Sequence, residues 1–183
     1  MAPNLSSAEI MNVLKLAQAW ARLGDRLEAE RALERAGKIV GDREEPDYPD
    51  HHFVFDSPKL DFYAGTTYAW LRDPAKVEHY ARATIQASGD PQANPRRAHW
   101  HPSRVSIARV DLAYALLAQG ELEEAIHEAA EAFRPFARRD ALLRAVELDA
   151  ELRSRYGREP EVKRFHERLV LARRSVRQPQ DGG

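Results

Sequence analysis

The chain has 183 residues and a formal net charge of −1, with no cysteine, which is enough length to bury a real core in one domain or a short array. Near-neutral charge argues against a dedicated polyanion binder, and the lack of thiols excludes a disulfide framework, thiolate catalysis and cysteine-ligated zinc. The balance hides an asymmetry: from Arg134 onward 13 Lys or Arg stand against 8 Asp or Glu. No apolar run reaches the length of a membrane span, and the opening Met-Ala-Pro-Asn-Leu-Ser-Ser lacks the basic and apolar regions of a signal peptide, so a cytoplasmic location is the expectation.

In chain order, Ser6-Ser7-Ala8-Glu9 reads as a capping box, in which Ser6 accepts from the Glu9 amide and the Glu9 carboxylate reaches back. Ile10, Val13, Leu14, Ala17, Trp20 and Ala21 then recur at helical spacing until Leu23-Gly24-Asp25 breaks the run. A second helix follows, with Leu27, Ala29, Ala32, Leu33 and Ala36 expected on its buried side, and ends near Gly41. The polar stretch 42–57 is a connection whose apolar end, Phe53-Val54-Phe55, is expected to pack back onto the helices. Ser57-Pro58 opens the next helix, since serine caps and proline is tolerated in the first turn. Asp73-Pro74 repeats that logic, which lets Arg72 occupy a turn and gives a second hairpin over 58–87.

A proline-broken connection spans 88–102. Helices are expected over 103–118, with Ile107, Val110, Leu112, Ala113 and Leu116 apolar, and over 121–133, with Gly120 turning the chain between them. Segments 140–156 and 160–174 form a fourth pair around Gly157, and the end of the chain, 175–183, is expected to be a disordered tail beyond a domain covering 1–174.

Gly24, Arg72 and Gly120 are evenly spaced at 48 residues, and the same pattern surrounds each. Seven residues earlier stands a small residue (Ala17, Gly65, Ala113), and four earlier a large apolar one (Trp20, Tyr68, Leu116). Five later comes a small or β-branched residue (Ala29, Val77, Ala125), and twelve later another small one (Ala36, Thr84, Ala132). Small residues let helix backbones approach while the large ones fill the space between hairpins. Recurrence of this kind points to an all-α helical-hairpin array of about four hairpins and seven to nine helices, a class that presents a surface for recognition. The competing reading is a generic alanine-rich bundle.

The pattern resembles tetratricopeptide repeats. Leu23-Gly24, Ala29, Leu33 and Ala36, preceded by Ala17 and Trp20, carry the likeness in the first unit. Tyr63-Ala64-Gly65-Thr66-Thr67-Tyr68-Ala69-Trp70-Leu71 with Asp73-Pro74-Ala75, and Ala108-Arg109-Val110-Asp111-Leu112-Ala113 with Gln119-Gly120-Glu121, carry it in the next two. With Arg138-Arg139 and the 161–169 helix, these stretches are similar to the C-terminal regions of large actinobacterial helix-turn-helix transcriptional regulators. The units are longer than the ~34 residues of a typical tetratricopeptide repeat, and Arg153 stands where the fourth unit would have a bulky apolar residue.

The resemblance implies an α-solenoid whose first helices line a concave groove. Transferred to this chain, it exposes Gln18, Arg22, Lys59, Phe62, Thr66, Trp70, Val110, Tyr114, Arg144 and Glu147, extended by Glu151. Aromatic anchors beside hydrogen-bonding groups suit a protein or peptide partner. A DNA-binding regulator is one candidate, and a homodimer through a terminal hairpin is compatible with the pattern. No enzymatic activity, cofactor, catalytic residue or metal is expected. His51, His52, His99 and His101 with Asp47, Asp50 and Asp56 lack the i, i+4 spacing of a helical zinc site and read as solvated loop groups. The alternative function is direct nucleic-acid binding through Arg138, Arg139, Arg153, Arg155, Arg158, Arg164, Arg168, Arg173 and Arg174. The interspersed Glu147, Asp149, Glu151, Glu161 and Glu167 instead suggest a solvated face with intrahelical pairs.

Overall fold

The structure, a computed structural model, describes residues 7–41, 55, 57–88, 102–133 and 139–177. Among them there are eight helices and no strands: α1 (Ser7–Arg22), α2 (Arg26–Gly41), α3 (Ser57–Trp70), α4 (Pro74–Ala87), α5 (Pro102–Gln119), α6 (Leu122–Glu131), α7 (Arg139–Tyr156) and α8 (Pro160–Arg177). They pair as four successive hairpins. Helix α8 extends to Arg177, past the point where the sequence suggests the helix ends. The capping-box serine, Ser6, and the Phe53-Val54 pair lie outside the described residues. Phe55 is buried, and its amide donates to the Ser7 hydroxyl at 3.1 Å, which ties the first connection to the start of α1.

The 48-residue period reappears as backbone geometry. Gly24, Arg72 and Gly120 all lie in the left-handed region, at φ 80°, 54° and 91°. At each, the amide of the following residue reaches back five positions: Asp25 to the Trp20 carbonyl at 3.0 Å, Asp73 to Tyr68 at 3.1 Å, and Glu121 to Leu116 at 2.9 Å. The turn residue itself bonds three positions back, to Ala21, Ala69 and Leu117 respectively. This is a Schellman closure, which satisfies the orphan carbonyls at a helix end. The residue after the turn then starts the next helix. Asp25 accepts from the Glu28 amide at 3.1 Å and Asp73 from the Lys76 amide at 3.3 Å, whereas Glu121 makes no such side-chain bond. The fourth turn is built differently: an added Cβ on Gly157 would sit 2.5 Å from the Arg153 carbonyl oxygen.

The small residues flanking each turn are all buried, including Ala17, Ala29 and Ala36, Thr84, and Ala113, Ala125 and Ala132. Gly65 serves the same purpose on α3, where a Cβ would stand only 3.4 Å from the Tyr80 Cβ. Of the large residues four before the turns, Tyr68 and Leu116 are buried, and Tyr68 stacks on Tyr80 with ring centroids 5.6 Å apart. Trp20 is half-buried. Leu27 is a correction: at 57% exposure it faces away from the core, because the neighbouring Ala29, Ala32, Leu33 and Ala36 already define the buried stripe of α2.

Helix α1 packs on α2 and α3, α3 on α4 and α5, and α5 on α4, α6 and α7, so the first helices of the hairpins form a continuous row. The second helices cover the other side, with α2 against α3, α4 against α5, and α6 against α8. This packing of adjacent helices is consistent with a helical repeat array. Two apolar cores result. One gathers Ile10, Leu14, Leu33, Tyr68 and Val77 from the first two hairpins, and the other Leu112, Leu116, Leu148, Leu152 and Phe165 from the last two. Each borrows an alanine from the opposite half, Ala115 in the first core and Ala81 in the second. Burying a leucine or phenylalanine in this way is worth about 1.5–3 kcal/mol relative to leaving it exposed. None of the described helices is long and apolar enough to cross a membrane.

A cleft over the row of first helices

The row α1–α3–α5–α7 leaves a cleft of about 890 Å³. It lies over the C-terminal parts of the first three: Arg22 on α1, Thr66, Ala69 and Trp70 on α3, and Tyr114, Ala115 and Ala118 on α5. Helix α7 closes the far side with Asp140, Leu143, Arg144, Glu147 and Glu151. The turn after α3 adds Arg72 and Asp73. Such a volume falls in the range of ligand-binding clefts.

Trp70 is 44% exposed, a large aromatic surface facing solvent within the cleft, and the Arg22 guanidinium lies over its ring at 4.7 Å from the centroid. Alanines at 69, 115 and 118 keep this part of the wall low, so the indole stands proud of its surroundings.

Beneath the aromatic wall runs a polar tie across three hairpins. Asp111 on α5 is 2% exposed, and the Arg144 guanidinium from α7 pairs with its Oδ1. The Thr66 hydroxyl from α3 sits 3.4 Å from Asp111 Oδ2 and 3.1 Å from the Phe62 carbonyl, so one proton is shared between two acceptors. Burial pushes the Asp111 carboxyl up to about 6, against the opposing pull of Arg144 and Thr66. Tyr114 is likewise raised above the usual phenol value by burial, with Glu147 and Glu151 adding to the effect. Its hydroxyl donates to the Arg144 carbonyl in a long contact of 3.5 Å.

Of the residues singled out from the sequence, Arg22, Thr66, Trp70, Tyr114, Arg144, Glu147 and Glu151 are brought together around this one cleft. Gln18, Lys59 and Phe62 are not part of its lining. Gln18 is one turn too early on α1, and Lys59 and Phe62 sit in the first turns of α3, whereas the cleft gathers the ends of these helices. Lys59 is buried, and the half-buried Phe62 packs edge-on against Tyr63 with centroids 5.5 Å apart. Val110 corrects the sequence expectation. It is 0% exposed and belongs to the second core, because α5 is enclosed by α3, α4, α6 and α7 and keeps little free surface. Arg72, Asp73, Asp140 and Leu143 are among the cleft residues that sequence reasoning missed, and it also missed Asp111 buried beneath the cleft. Asp111 carries a legible signal, a carboxylate between Val110 and Leu112 in an otherwise apolar stretch.

The histidine and aspartate candidates of the two long connections, His51, His52, His99, His101, Asp47, Asp50 and Asp56, lie outside the described residues, as does Arg138. In the basic C-terminal part, Arg153 pairs with Asp149 and Arg155 with Glu151, each at 3.0 Å, and Arg164 pairs with Glu161. His166 Nδ1 lies 2.9 Å from Asp149 Oδ2, joining α8 to α7. No family model matches the chain, and no curated protein or solved structure is detectably similar to it.

Proposed function

We propose that the chain is a non-enzymatic, tetratricopeptide-like recognition module that holds a peptide segment of a partner protein in the cleft over α1, α3, α5 and α7. The observation that carries this reading is the half-exposed Trp70, set among short alanines and flanked by hydrogen-bonding and charged side chains. Buried aromatic anchors contribute most of the affinity at such interfaces, and polar neighbours set register. The resemblance to regulator effector regions extends the reading to the sensor or interaction part of a transcriptional regulatory system, with a DNA-binding regulator as one partner. Ligand binding would act by biasing the angle between hairpins, since the Thr66–Asp111–Arg144 tie spans three of them directly under the cleft.

Direct nucleic-acid binding is the weaker reading. Arg153, Arg155 and Arg164 are engaged by carboxylates of their own helices, and the acidic face of α7 fronts the cleft. The deciding experiment is selection of a random-peptide display library on the purified chain, followed by calorimetry of the selected peptides against the native protein and Trp70→Ala. At least a tenfold loss of affinity is expected, with helicity and melting temperature retained. Peptides that bind both proteins equally, or a variant that fails to fold, would remove the cleft as the recognition surface.

A further inference from the structure

The charges around the cleft are sorted by sign, and this is visible once internally neutralised groups are set aside. Asp73 is engaged by Arg26 at 3.0 Å, and Arg144 by Asp111. Among the described residues, Arg22 and Arg72 have no carboxylate partner; Arg22 only overlies Trp70. Among the described residues Asp140 and Glu147 likewise have no cationic partner, and Glu151 shares its charge with Arg155. The uncompensated cations therefore come from the first two hairpins and the uncompensated anions from the fourth. Trp70, Tyr114 and the alanine floor lie between them.

Adjacent packed helices stand about 9 Å apart, so α7 lies about 18 Å from the helix preceding Arg72, and the full row from α1 spans about 27 Å. Both distances exceed twice the ~8 Å screening length at physiological salt, and the two charge sets act independently on a ligand rather than cancelling. An extended chain covers the full row in about eight or nine residues at ~3.3 Å each.

We propose that the cleft selects a bipolar peptide, an extended segment of about eight or nine residues with carboxylates at one end, cations at the other and bulky apolar side chains between. This rests on the peptide-binding reading above and adds the chemistry of the peptide. A uniformly acidic partner meets Asp140 and Glu147, a uniformly basic one meets Arg22 and Arg72, and each is repelled at one end. An apolar peptide leaves both charge sets without a partner.

Two blocked nonapeptides of identical composition test the proposal. One carries two glutamates at one end, two lysines at the other and a leucine–phenylalanine–leucine centre. Its isomer carries the same charges in alternation. Calorimetry at physiological salt is expected to show the sorted peptide binding at least tenfold tighter. The double variant Arg22→Glu/Arg72→Glu, which changes only exposed side chains, should erase that preference. It should also favour a third probe with lysines at both ends by a similar factor. Equal binding of the two isomers, binding of neither, or a preference untouched by the double variant would overturn the bipolar assignment. The peptide-binding reading fails separately, if library-selected peptides are indifferent to Trp70→Ala.

Discussion

Arg72 holds a left-handed backbone conformation that its two counterparts, 48 residues away on either side, give to glycine. A residue with a Cβ pays about 1–2 kcal/mol for that region. Replacing Arg72 by Gly removes this strain, and the greater freedom of glycine in the unfolded chain takes back about 0.4–1 kcal/mol. The Arg72 side chain makes no hydrogen bond or ion pair among the described residues, and its backbone bond to Ala69 survives the change. Net stabilisation of about 1 kcal/mol is expected, or about 2–4 °C in melting temperature for a chain of this size. The reciprocal substitutions isolate the cause. A Cβ at Gly24 or Gly120 would have nothing within 4 Å, so Gly24→Ala and Gly120→Ala meet no steric obstacle and should each cost about 1 kcal/mol through backbone conformation alone. Urea titrations followed by circular dichroism, with unchanged slopes, would measure all three. A destabilised Arg72→Gly together with a neutral Gly24→Ala would refute the reasoning that one backbone geometry recurs at the three turns.

Two further outcomes follow from the polar tie and the last turn. Asp111 ionises at about 6 in the folded chain against an ordinary 3.8, so between those values the native state keeps a proton that the unfolded chain has released. Its stabilising contribution is complete below about pH 4 and is lost as the pH rises through about 6, a change of about 3 kcal/mol. The stability of the native protein relative to Asp111→Asn should therefore shrink by that amount between pH 4 and 7; parallel stability curves would exclude the buried titration. Gly157→Ala drives a Cβ against the Arg153 carbonyl oxygen, a backbone atom that cannot swing aside, and should cost about 1–3 kcal/mol in the same urea assay. A neutral effect would mean the α7–α8 turn relaxes freely.

The turns were the most legible part of the sequence. A turn closed by a left-handed residue constrains its neighbours at fixed offsets, and those constraints leave small residues at 17, 65 and 113 that can be read without coordinates. Helix faces were less legible. Leu27 is as apolar as Leu33, yet only packing partners determine which leucine is covered, and the alanines of α2 settled that in favour of Leu33. Val110 was misplaced for a related reason: a helix enclosed on four sides has no polar face to betray its orientation. The cleft residues that were anticipated share one property. They lie on first helices: toward the C-terminal ends of α1, α3 and α5, and along the N-terminal two-thirds of α7. The Thr66–Asp111–Arg144 tie could not be assembled from spacing alone, since its members stand on three helices with another helix and a connection between each pair.

The seam between the two cores has a consequence for how the molecule comes apart. Each half collapses around its own leucines, while the α4–α5 boundary between them is closed by Ala81, Ala115 and Ile85, by the Arg82–Glu124 ion pair at 2.9 Å and by the Gln119–Glu78 hydrogen bond at 3.0 Å. The two cores are therefore coupled through the middle of the sequence, and amide protection in such a chain should be shared across α4 and α5 and fall off toward its ends.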